Sequence, residues 1–160
     1  MICMFFMCTT PLYASDITFS GGYTKVSMQE GNKSVSLSGG ALVSANGLSI
    51  SAQEIKLYGT DYRYVDCTGK VVAIDSERGI TLQCPGLFYD RQTGEIVSDG
   101  WIEVQDETND ATLSGARFEY DTNSTLIKVQ MMARVVKNTD DGPMTVSYTH
   151  LRAHETGRNL

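Results

Sequence analysis

The sequence predicts an all-β protein, built from repetitive antiparallel β-hairpins that stack into a twisted, open β-jelly roll. Three observations predict it. A block of about 31 residues recurs three to four times. Apolar residues alternate with polar ones at the two-residue period of a strand, and no helical period of useful length appears. The chain of 160 residues also carries 15 Gly against 3 Pro, with abundant Ser, Thr and Val, a composition of short strands and turns.

The repeat is clearest in three segments that align without gaps. They run from Ile50 to Leu57, from Leu82 to Tyr89 and from Leu113 to Tyr120, at spacings of 32 and 31. Each reads large apolar, any, small, any, any, large apolar, any, large apolar. The small residues are Ala52, Cys84 and Gly115. Strict alternation would put the later pair on the opposite face. Two residues in the middle shift the register, so a bulge or bend must return that pair to the first face.

A companion strand precedes each copy. Gly39, Gly69 and Gly100 start or interrupt these companions, at spacings of 30 and 31. Asn46-Gly47 and Arg78-Gly79 read as turns between companion and copy, which makes each repeat a hairpin. Asp90 to Gly94 and Asp121 to Ser124 are matching turns after the second and third copies, where Asp and Asn bond their own backbone. Residues 126–131 and 133–136 supply a fourth companion, and residues 17–19 and 23–28 an opening pair. A single unit leaves one face unburied, and stacking supplies the continuous core. The accumulating twist gives a twisted slab or an opened jelly roll.

The two ends read differently from the body. Ile2 to Met7 is apolar, and Pro11-Leu12-Tyr13-Ala14 ends on a small residue, so residues 1–14 are expected to be an export signal, though no Lys or Arg precedes the apolar run. Residues 146–160 resemble a translated sequencing adapter and are expected to be non-native. Both histidines, His150 and His154, lie there, which leaves the domain at 15–145 without the usual parts of a catalytic triad or a zinc site. That stretch holds 11 basic and 18 acidic residues, a net charge of about −7. Scattered cations exclude a nucleic-acid interface, which needs them clustered.

Other constellations point away from catalysis. Cys67 and Cys84 lie seventeen apart on adjacent strands. A disulfide between them and two buried thiols are both open readings, and no Cys-x-x-Cys supports redox chemistry. Glu103, Asp106, Glu107 and Asp110 surround a turn, at a spacing that fits no calcium loop, and are read as a solvated hairpin tip. Trp101 falls at an outward position. No enzyme, cofactor or metal is expected.

The elements Gly39/Ala52, Gly69/Cys84 and Gly100/Gly115, three in register behind an export signal, resemble the OstA-like family, the LptA-type proteins of lipopolysaccharide transport. The resemblance covers about Ile17 to Val136. It departs where the small-then-acidic pair after the Leu is replaced by Ala52-Gln53, Cys84-Pro85 and Gly115-Ala116. The resemblance implies a periplasmic β-jelly roll that carries or bridges lipopolysaccharide, or a related lipid, without chemistry. It implies acyl chains between two sheets, against Ile50, Leu57, Leu82, Leu87, Ile102, Val104, Leu113 and Phe118. Partners would be the lipid and other jelly-roll transport components joined by edge-strand pairing, including head-to-tail copies of this chain. The edge candidates are residues 23–28 and 126–131. The rival reading is a structural β-repeat module for protein–protein assembly, with a dry core.

Overall fold

The computed structural model describes residues 16–29, 31 and 33–153, so the expected export signal lies outside the described residues. The elements are β1 (Thr18–Ser20), β2 (Tyr23–Ser27), β3 (Ser34–Ala45), β4 (Leu48–Tyr58), β5 (Tyr64–Asp75), β6 (Ile80–Asp90), β7 (Glu95–Asp106), β8 (Ala111–Asp121), β9 (Leu126–Thr139) and β10 (Gly142–Ala153), with a 3-10 turn at Thr60–Tyr62 after β4. All pairings are antiparallel, and β3 to β10 follow one another as a meander in a ten-stranded sheet. The all-β expectation holds, and the hairpin repeat is the building unit.

Two details differ from the sequence reading. The opening strands do not pair with each other. Both lie on the same flank of β3, with Phe19 opposite Val43 and Val26 opposite Val35. Gly21 and Gly22 join them where β3 itself bends, and the Gly22 N–H donates to the Gly39 carbonyl at 3.3 Å. The far edge is β10 rather than the 126–131 segment, because β9 is covered along its length by β10. Residues 146–153, part of the segment read as non-native, lie in that last strand.

Every long strand changes direction at mid-length, and the changes line up across the sheet. Gly39 and Gly40 of β3 face a gap in the ladder beside Gln53 of β4. Gly69 and Lys70 of β5 stand beside Pro85 of β6, and Asp99 and Gly100 of β7 beside Arg117 of β8. Two residues against one is a bulge, which bends the strand and increases its twist. The sequence explains why it sits there. Gly39, Gly40 and Gly69 have φ of 73°, 81° and 80°, a region that suits glycine. Pro85 lacks an N–H, and the ladder is already broken where it stands. At the fourth bend Met131 and Met132 take the same left-handed region, at 66° and 51°, without glycine's freedom.

The bends divide the sheet into two halves that face each other with the same side. Inward positions are 35, 37, 55, 57, 65, 67, 87, 89, 96, 118, 120, 127 and 129 in one half. In the other they are 41, 43, 48, 50, 52, 71, 73, 80, 82, 102, 104, 113 and 133. All belong to one buried cluster. The register shift read from the repeat is visible directly: Ile50 and Ala52, then Ile55 and Leu57, are all inward on β4.

Two rows of turns form the free lips of this folded sheet, and neighbouring turns bond to each other at the repeat spacing. On one lip the Arg91 N–H donates to the Arg63 carbonyl and the Thr122 N–H to the Gly94 carbonyl, both at 2.9 Å. On the other the Glu107 N–H donates to the Gly79 carbonyl at 2.9 Å and the Asn138 N–H to the Asp110 carbonyl at 3.1 Å. Asp side chains close their own turns. Asp75 and Asp106 accept from the N–H groups of Arg78 and Asn109, and Asp90 and Asp121 accept from those of Gln92 and Asn123.

Asp90 carries an additional load. The Arg63 guanidinium donates to it from Nε at 2.9 Å and from Nη2 at 2.6 Å. Arg63, with the Gln92 and Thr93 N–H groups, holds the Asp90 carboxyl at about 2, below the usual carboxylate range. Because the folded value is depressed, the ionised carboxylate stabilises the fold above about pH 4 and that contribution is lost as pH falls toward 2. Urea midpoints of the parent and Asp90→Asn should therefore differ most at pH 6, and the gap should shrink by more than half by pH 2.5. A constant gap across that range would mean that ionisation of Asp90 does not stabilise the fold.

Candidate functional site: the apolar face between the half-sheets

The inward face is a lattice of cross-strand rows. One row runs Val43, Ile50, Ala73, Leu82, Val104, Leu113 and Val135 across seven strands of one half. The facing half carries Val35, Leu57, Val65, Tyr89, Ile96, Tyr120 and Ile127. Both rows come from the alternation of the strands that contribute them, since every second residue of a strand points to one face.

All eight residues singled out by sequence lie on this face. Ile50, Leu82, Ile102, Val104 and Leu113 belong to one half, and Leu57, Leu87 and Phe118 to the other. All eight are buried, Leu113 being the least covered at 8% exposed. Val35, Leu37, Ile55, Val65, Tyr89, Ile96, Tyr120 and Val129, not among those eight, are equally deep. Several stand in the half of each companion strand before the glycine, where alternation would have marked them.

Along the bend line every inward cross-strand pair contains a small residue. Ala41 pairs with Ala52, Cys84 with Val71, and Gly115 with Ile102. This is the physical reason for the small residue in each repeat: the two halves converge at the bend, and each cross-strand pair there has room for at most one long side chain. Gly115 is the extreme case, because a Cβ there would lie 2.4 Å from Val129 Cγ1 and 3.2 Å from the Ala133 Cα.

Cys67 and Cys84 are both inward, buried and free. The register sets Cys67 opposite Leu87 and Cys84 opposite Val71, on either side of the bend. Of the two readings left open by the sequence, the two buried thiols are the one found. Burial, with Asp66 and Cys84 nearby, pushes the Cys67 thiol up to about 12, which leaves it almost no thiolate at neutral pH.

The outward face is different in kind. Tyr58, Tyr64 and Phe88 form an aromatic strip, with centroids 5.4 Å and 5.9 Å apart. Lys56 lies 5.5 Å from the Tyr58 ring centre and Arg63 5.0 Å from that of Tyr64. A hollow of about 720 Å³ beside this strip is lined by Ser27, Lys33, Lys56, Tyr58, Thr60 and Asp61, among others. The acidic turn at 106–110 closes on itself, Asp106 accepting from Asn109 Nδ2 at 2.7 Å. Among the described residues no group of three or more His, Cys, Asp or Glu side chains could hold a metal ion. Trp101 is outward and half-exposed, as its place in the alternation requires.

An antiparallel sheet folded along a line of bulges, apolar within and left unclosed at its first and last strands, defines an open β-jelly roll. The fold is similar to that of LptH of Pseudomonas aeruginosa, described as the LptA-homologous periplasmic component of the lipopolysaccharide transport device. The TM-score is 0.60 at 13% sequence identity, over 72% of this chain and 82% of that one. No family model matches the sequence, and no curated protein matches it.

Proposed function

We propose that this chain is a non-enzymatic periplasmic protein that carries or bridges lipopolysaccharide or a related lipid, with acyl chains held between the two half-sheets. The observation that supports it best is the apolar face itself. It runs unbroken across the strands and, among the described residues, ends at strands that pair with nothing further. Each buried methylene contributes about 0.8 kcal/mol, so one fatty chain binds on apolar contact alone. The similarity in fold to a periplasmic transport component points the same way.

The flank at β1–β2, unpaired among the described residues, is the place where edge strands of other jelly-roll components, or of a second copy, would add; the opposite edge is β10, most of which belongs to the segment expected to be non-native. Phe19, Tyr23, Val26 and Met28 leave apolar side chains exposed at the first of these edges. A second reading, a structural β-repeat module with a dry core, draws on the tight burial of Leu57, Val65, Ile96, Ile102 and Phe118, each 0% exposed. Displacement of a fluorescent fatty-acyl probe from the full chain by lipid A separates the two. Saturable displacement supports the carrier, and absence of binding by folded protein supports the scaffold.

A further inference from the structure

Two side-chain hydrogen bonds join the lips of the folded sheet, and they repeat. Asn46, in the turn between β3 and β4, donates from Nδ2 to the Tyr89 hydroxyl of β6 at 3.4 Å. Tyr120 of β8 donates its hydroxyl to Asp75 Oδ2 of β5 at 3.2 Å. The turn-side partners are 29 residues apart and the tyrosines 31, so one device occurs twice at the period of the fold. In each pair one residue stands on one lip and its partner on the other. At about 3.3 Å per residue, the two ends of a flat eleven-residue strand would lie roughly 35 Å apart. These bonds exist only because the halves close over the apolar face.

The partners are held in place for this contact. Asp75 is 2% exposed, and Arg78 fixes it through its N–H at 3.2 Å and Nη1 at 2.8 Å. Tyr89 and Tyr120 are among the largest fully buried side chains. Their rings belong to the apolar lattice, while their hydroxyls leave it to reach the opposite lip. A phenylalanine would fill the same space, so the hydroxyl is present for the cross-lip bond.

We propose that Tyr89 and Tyr120 are the catches of a clasp across the mouth of the fold, and that side entry of a guest requires both bonds to break. The nature of that guest rests on the acyl-binding reading above; the clasp does not. Its test is a distance. Spin labels on Ser76→Cys and Gln92→Cys, exposed positions on opposite lips, report the opening in a background where the native cysteines are replaced and folding is verified. The parent is expected to give one narrow distribution. Tyr89→Phe with Tyr120→Phe should add a longer component, raising the ratio of open to closed about tenfold, and should speed uptake of a fluorescent fatty-acyl probe to a similar degree. An unchanged distribution overturns the clasp, even if the probe still enters. A wider distribution without uptake upholds the clasp and counts against acyl binding.

Discussion

Phe118→Ala should cost about 3–5 kcal/mol of folding stability, the range for removing a fully buried aromatic ring. Phe118 has no exposed surface, sits immediately past the bend of β8, and meets Tyr120 with ring centres 6.4 Å apart. On β9 it faces Val129, and on β7 Ser98. The backbone on either side is pinned by ladder bonds, so the space left by the ring cannot collapse fully. Urea unfolding followed by circular dichroism should show a large fall in midpoint. Trp101→Ala, on the outward face of the neighbouring strand, should stay within about 0.5 kcal/mol. Equal effects at the two positions would mean that the inward and outward faces are wrongly assigned.

Gly115→Val should destabilise by about 3 kcal/mol through overpacking rather than loss of contact. The added atoms would enter space held by Val129 Cγ1, the Ala133 Cα and the Met131 carbonyl, and two of these three are backbone. The bend of β9 would have to move away from β8. Gly86 makes a sharp control on the same line. Its φ is ordinary, and a Cβ there meets only the Cys67 carbonyl, at 3.6 Å. Gly86→Ala should leave the melting temperature nearly unchanged, whereas Gly115→Val should lower it by about 10 °C. A tolerated Gly115→Val would remove the steric basis given for the small residue in each repeat.

Much of the fold was legible because the repeat writes its geometry into residue types. Ile50, Ala52, Ile55 and Leu57 state the bend of β4 outright, since no straight strand puts all four on one face. What escaped was long-range. That Tyr120 bonds Asp75 depends on how far the sheet closes, and periodicity carries no such information. The pairing of β1 and β2 with β3 also lay beyond it, because Gly21-Gly22 reads equally well as a hairpin turn or as a bend matching Gly39-Gly40. The fourth bend was obscured for a chemical reason: Met131-Met132 stand where the other companions signal with glycine.

The central claim, that lipid lies between the half-sheets, is tested most directly by methyl NMR with a spin-labelled fatty acid added to the intact chain. Ile50, Leu82, Ile102 and Leu113 present inward methyl groups, and Leu42 and Ile74 outward ones on the same strands or their neighbours. The account predicts saturable broadening of the inward set, with the outward set little affected. Broadening confined to Leu42 and Ile74, or none at stoichiometric lipid, would contradict it.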